Sequence, residues 1–238
     1  MHDFVFVPEA VCALAVDGVA SRFPVRRVYC MGRNYPWPTT PAAARVDSEE
    51  REPLVFFMKP AGAVVAAEGV IPFPSLTAEF CHEIELVVAI GKGGVNISNE
   101  DALTHVWGYA AGLDLTRRDI QMQAKSKGQP WEGAKAFDAS AASSPIVPVA
   151  TSGHPENGAI WLKVNGLERQ RGDLRDQIWS VREVISFLSR SVQLKAGDLI
   201  FTGTPTGVAS LQPGDVLSGG IDGVGQFSVT IGPLIVSS

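Results

Sequence analysis

Long hydrophobic runs are missing from this chain: no stretch of its 238 residues approaches the ~18 apolar residues of a membrane-spanning helix. Basic clusters are missing too. Twenty Lys and Arg stand against 25 Asp and Glu, a formal net charge of −5, which speaks against a nucleic-acid surface. The opening Met1-His2-Asp3-Phe4 lacks the basic and apolar regions of an export signal. Cysteine is scarce, and Cys12, Cys30 and Cys81 are widely spaced. That pattern excludes a disulfide framework and a CxxC metal site, and it suits a reducing, cytoplasmic setting. Charged residues make up only 19% against 45% hydrophobic, the balance of a folded globular protein. Glycine and proline are plentiful, at 24 and 16, which implies many turns and short strands.

No repeat or long linker divides the chain. Residues 1–22 read as a short N-terminal segment without a strong period, and 23–238 as a single domain. Strands are expected over Val25–Met31, Leu54–Met58, Glu83–Ile90, Trp107–Leu115, Ile160–Val164, Leu199–Thr202 and Phe227–Ile231. Ser98 with Asp101, and Thr116 with Asp119, read as helix caps, the second helix running to about Lys127 before Gly128 and Pro130. Val181, Val184, Ile185 and Leu188 recur at helical spacing. Strands predominate without a βαβ rhythm, so the expected class is α+β, mostly β, built on a rolled or sandwiched core. From Pro36 to Glu50 the prolines at 36, 38 and 41 deny the donors a helix or inner strand needs; this reads as a long binding loop.

Three acids break the apolar pattern. Glu83 and Glu85 share one face of a strand, roughly 6.6 Å apart along it, and the strand continues as the fully apolar Val87-Val88-Ala89-Ile90. Asp114 ends the small-residue strand Gly108–Leu113. Carboxylates at the ends of buried strands repel one another and lose hydration unless a cation compensates. With no His or Cys among them, the three suit a hard cation, Mg²⁺ or Mn²⁺. Arg118 and Gln121 lie three apart on the following helix, able to hold a substrate carboxylate or equally to form a solvated face. Lys135 is a lone cation among small apolar residues, and a surface lysine is its plainer reading. Thr202–Val208 is a hydroxyl-rich turn that can offer N–H groups to an anion.

Several segments, in this order along the chain, resemble the fumarylacetoacetate hydrolase superfamily. They are Gly32-Arg33-Asn34-Tyr35, Phe56-Phe57-Met58-Lys59-Pro60, His82-Glu83-Ile84-Glu85-Leu86 and Gly112-Leu113-Asp114-Leu115-Thr116-Arg117-Arg118-Asp119. The match continues through Gly128-Gln129-Pro130-Trp131, Lys135-Ala136-Phe137-Asp138, Val164-Asn165-Gly166 and Gly197–Pro205. It spans about residues 25–232 and is strongest to the short fumarylpyruvate hydrolases (acylpyruvases) of gentisate breakdown. The resemblance implies a mixed β-roll, a homodimer, and a metal held by Glu83, Glu85 and Asp114. It also implies substrate contacts from Arg33, Tyr35, Arg118, Gln121, Lys135 and Thr204, with Arg118, Gln121 and Lys135 acting in catalysis. The implied reaction is hydrolysis of a C–C bond in a 2,4-diketo acid, releasing pyruvate as its enolate.

One departure touches the chemistry. Hydrolytic members carry a His and a Glu after the Asn-Tyr motif; counting from Tyr35, Pro38 and Pro41 occupy those places, and no histidine occurs between 36 and 50. A 2-oxo acid decarboxylase, a keto–enol isomerase, or a catalytically impaired keto-acid-binding homologue therefore stand as alternatives, since none of them requires an activated water.

Overall fold

In the computed structural model, residues 4–36 and 51–234 are described. Two sheets dominate. The larger has eight strands, with the core order 55–59, 27–32, 198–201, 84–90, 106–114, 141–143, 64–66. Strand Asp198–Phe201 runs parallel to Arg27–Gly32 and antiparallel to Ile84–Ile90, so a late segment is wedged between two early ones. The smaller sheet has five strands, in the order 167–173, 159–164, 216–221, 225–234, 68–73. Asn165 and Gly166, both at positive φ, make the tight turn of its first hairpin, as hairpin geometry requires.

The two faces of the large sheet carry different cargo. Ile84, Leu86 and Val88 with Tyr109, Ala111 and Leu113 point toward the five-stranded sheet and the helix Val181–Ser191, where Ile160, Leu162, Leu217, Val229, Val184 and Leu188 complete the main core. The other face carries Val87, Ala89, Ala110, Leu199 and Phe201, covered by Leu14, Val16 and Phe23 of an N-terminal hairpin, Ala13–Val16 with Val19–Pro24. Leu14 and Phe23 pair across that hairpin; its four- and six-residue strands are too short for their alternation to stand out in sequence.

The expected strands all form, most with ends shifted by one or two residues. Two of the expected caps differ. Ser98 and Asp101 bond each other, but the chain beyond them makes a single 3₁₀ turn, Ala102–His105. The helix after Asp114 begins at Arg118, with no side-chain cap. Thr116 instead lies in a two-residue strand against Phe80–Cys81, and its hydroxyl is turned into the protein. The expected loop over 36–50 lies, after Pro36, outside the described residues, as do Pro38 and Pro41.

Candidate metal and keto-acid site

Register places the three acids together. Ile84 pairs with Leu113 and Glu85 with Gly112 across the antiparallel ladder, so Glu83 stands opposite Asp114, whose N–H donates to the Glu83 carbonyl at 2.9 Å. Directly opposed and diagonal side chains on one face are within reach of each other. A ligand oxygen from each of Glu83, Glu85 and Asp114 lies within 4.8 Å of the others. Gly112, the partner of Glu85 in the ladder, has no room for a side chain: a Cβ there would stand 2.6 Å from Val87 Cγ2 and 2.8 Å from the Phe201 ring. All three acids are buried, Glu85 and Asp114 to 1% exposure.

Two lysines meet them. Lys135, on the short helix Glu132–Lys135, reaches Glu83 Oε2 at 2.8 Å and Asp114 Oδ2 at 2.9 Å, and also donates to the Thr116 hydroxyl. Lys59, the last residue of its strand, lies 2.9 Å from Asp114 Oδ1 and donates to the carbonyls of Leu115 and Lys135. Thr116 Oγ1 lies 3.1 Å from Glu83 Oε1. Burial alone would push Asp114 up, but Lys135 and Lys59 outweigh it and hold its carboxyl below the usual range. Burial would push Lys135 down, and Asp114 and Glu83 more than reverse that, so it stays charged.

Glu85 is the exception. Its Oε2 accepts 2.7 Å from the Gly203 N–H, and no lysine is bonded to it among the described residues. Burial, then the charges of Asp114 and Glu83, drive its carboxyl well above the ordinary value. Two lysines against three acids leave one negative charge over. An all-carboxylate donor set this compact and under-compensated fits a hard divalent cation, whose carboxylate contacts are about 2.1 Å for Mg²⁺.

The remaining expected residues differ in how closely they approach this cluster. Arg118 opens the helix Arg118–Ser126, its N–H donating to the Glu79 carbonyl, and Gln121 is buried one turn on with its Oε1 unpaired. Tyr35 is buried; Arg33, at φ 57, is exposed and pairs with Glu52 at 3.0 Å. The Thr204 hydroxyl is already engaged, donating to the Ile84 carbonyl at 2.7 Å and accepting from Gln170 Nε2 at 2.8 Å. Lys135 is 2% exposed, which removes the surface-lysine reading. Sequence reasoning gave no role to Lys59 or Thr116. A lone lysine closing the apolar strand Val55–Met58 was the available signal for Lys59; for Thr116 the capping pattern pointed elsewhere. His82, His105 and His154 are bonded to Gln170, the Lys92 carbonyl and Tyr109 respectively. Among the described residues, none of these side chains is hydrogen-bonded to the three acids.

Known proteins share this arrangement of chain. The fumarylpyruvate hydrolase of a Ralstonia species is 41% identical over 182 residues, 76% of this chain and 94% of that one. The oxaloacetate tautomerase of Escherichia coli K12 is 39% identical over 208 residues, 87% and 93% of the two chains. A crystal structure of fumarylpyruvate hydrolase from Pseudomonas aeruginosa, in complex with Mn²⁺ and pyruvate, superposes with a TM-score of 0.90 at 49% identity, covering 97% of this chain and 100% of that one. Residues 27–232 match the fumarylacetoacetate hydrolase C-terminal domain, and the chain belongs to that family.

Proposed function

We propose that the protein is a metal-dependent hydrolase that cleaves an acylpyruvate such as fumarylpyruvate, releasing pyruvate, as a step of gentisate-type aromatic breakdown. The observation that carries this reading is the buried cluster of Glu83, Glu85 and Asp114 with Lys135 bridging two of its members. Mn²⁺ or Mg²⁺ held by these acids would supply chelation and polarisation of a 2-oxo carboxylate. Lys135 fixes the carboxylates of Glu83 and Asp114 and keeps a positive charge where an enolate oxygen would develop, a preorganised stabilisation. Arg118 and Gln121 supply a guanidinium and an amide N–H donor on one helix face for the substrate's carboxylate end. The Pseudomonas relative, with Mn²⁺ and pyruvate, supports the class of ligand.

A second reading has its own support. No histidine among the described residues faces the acids, none occurs in 36–50 of the sequence, and oxaloacetate tautomerases are about as similar as the hydrolase. Tautomerisation needs enolate stabilisation but no activated water. Purified protein with Mn²⁺ should be offered fumarylpyruvate, acetylpyruvate and oxaloacetate. Pyruvate together with fumarate is the expected result. Accelerated keto–enol exchange of oxaloacetate without cleavage of fumarylpyruvate would replace hydrolysis by tautomerisation.

A further inference from the structure

The helix that opens with Arg118 carries a second cation on the same face. Arg118, Gln121 and Lys125 are spaced i, i+3 and i+7 along Arg118–Ser126, positions that stack along one side of a helix. Gln121 is buried, while Lys125 lies one further turn out, where the surface opens. Its ammonium sits 4.7 Å from the centre of the Trp131 ring. Trp131 in turn packs against Phe57 at 6.1 Å between ring centres, and the Phe57 ring lies 5.1 Å from the Lys135 ammonium. An apolar wall of two aromatic rings therefore runs from the reacting end of the site to a lysine at its far end.

Lys125 makes no ion pair with any described carboxylate, unlike Lys59 and Lys135, which the acids absorb. Partial burial, with the like charges of Arg118 and Arg33, holds it below the ordinary lysine range. Arg33 has Glu52 as a partner, but that pair is solvent-exposed and weak. A lysine without an ion-pair partner among the described residues, beside the proposed seat of one carboxylate, presents a place for a second anion.

We propose that Lys125 seats the distal carboxylate of a 2-oxo diacid and is the specificity-determining residue of this site. The substrate's 2-oxo carboxylate lies toward Arg118 and Gln121, and its carbon chain runs along Phe57 and Trp131. The inference rests on the keto-acid reading above but not on which reaction follows binding.

The test uses two probes that lack a 4-oxo group and so are not cleaved: 2-oxoheptanedioate and 2-oxoheptanoate, titrated calorimetrically into the Mn²⁺-loaded protein. They differ only in the distal carboxylate. The wild-type protein should prefer the diacid by roughly three- to tenfold, the range of a single partly exposed charge pair with some help from a neighbour. Lys125→Gln should erase the preference with the monoacid's affinity little changed, and Lys125→Arg should restore it. A wild type that binds both probes equally, or a Lys125→Gln protein that keeps its preference, overturns the proposal. Equal loss of both probes in Lys125→Gln also overturns it, since that is the mark of a structural role. If fumarylpyruvate is not hydrolysed while the diacid preference stands and depends on Lys125, the hydrolase reading fails and the distal seat survives.

Discussion

The large sheet buries two aspartates, and they are buried for different ends. Asp198, fully buried, is held by Arg26 through two 2.8 Å contacts, Nε to Oδ1 and Nη2 to Oδ2, and by the Lys195 N–H at 2.8 Å. One acid meets one planar guanidinium, and the group is neutral and saturated. Asp114, 1% exposed, meets two lysines but shares one of them, Lys135, with Glu83, while Glu85 beside it has a single backbone donor. Burial is common to both places; surplus charge is found at one. A buried ion pair is weak support for stability because desolvation offsets its attraction, so the Asp198 pair is intelligible as a fastening for the start of its strand. A carboxyl left without a cation in the interior has no such use, and its displaced acidity marks a candidate site for a ligand cation.

That contrast can be broken most sharply by removing each aspartate. Asp114→Asn should weaken Mn²⁺ binding by more than the ~10–100-fold that loss of a supporting residue costs a metal site, read by calorimetric titration. Asp198→Asn should leave Mn²⁺ affinity unchanged, since distant sites act independently. It should instead lower unfolding stability by about 3 kcal/mol in urea melts, because Arg26 loses its partner. Comparable loss of Mn²⁺ affinity in both variants would show that the two aspartates do not differ in kind.

A second outcome concerns acidity. Glu85 has a raised carboxyl in the folded metal-free protein, so between its ordinary and its raised value the folded state binds a proton that the unfolded chain has released. Its contribution to stability is therefore present at low pH and lost as pH rises through the raised value. Melting temperature of the metal-free protein should carry this downward component from the ordinary glutamate range upward. Glu85→Gln or saturating Mn²⁺ should remove it. A slope unaltered by Glu85→Gln would refute the assignment.

The smallest expected effect is at Thr116. Thr116→Val removes a hydroxyl that bonds both Glu83 and Lys135; it should cost about 1 kcal/mol of stability and up to ~10-fold in Mn²⁺ affinity. Stability lost with metal affinity intact would make the threonine part of the framework alone.

The range of each interaction decides how much of it the sequence discloses. Glu83, Glu85 and Asp114 are legible because an acid inside an apolar strand is a local anomaly, visible within ten residues. Lys135 looks ordinary because its partners lie 21 and 52 positions away, and no spacing rule links a short helix to two strand ends. Lys59 is hidden for the same reason, at 55 positions from Asp114 by number. Thr116 misleads because Thr-x-x-Asp fits a cap, while pairing with Phe80–Cys81 and a hydrogen bond to Glu83 win the competition. The capping box of Ser180 and Glu183 is equally local, but the apolar spacing of its helix is the louder signal. Strands are well located because alternation is local; which strands become neighbours is not, since the order 27–32, 198–201, 84–90 joins distant stretches of chain.

That wedged strand also sets a timetable. Glu85 depends on the N–H of Gly203, and Gly203, at φ +95, lies so close to Asn34 that a Cβ would come within 2.7 Å of the Asn34 Cβ. Asn34 in turn bonds the carbonyls of Trp179 and Thr202. A ribosome that has delivered residues 83–114 has made every acid of the centre but neither the strand that separates 27–32 from 84–90 nor the donor for Glu85. Closing contacts across more than a hundred residues is slow and entropically costly. The nascent chain therefore carries Glu85 without its backbone donor until Gly203 emerges, and the surroundings of the three acids are completed late.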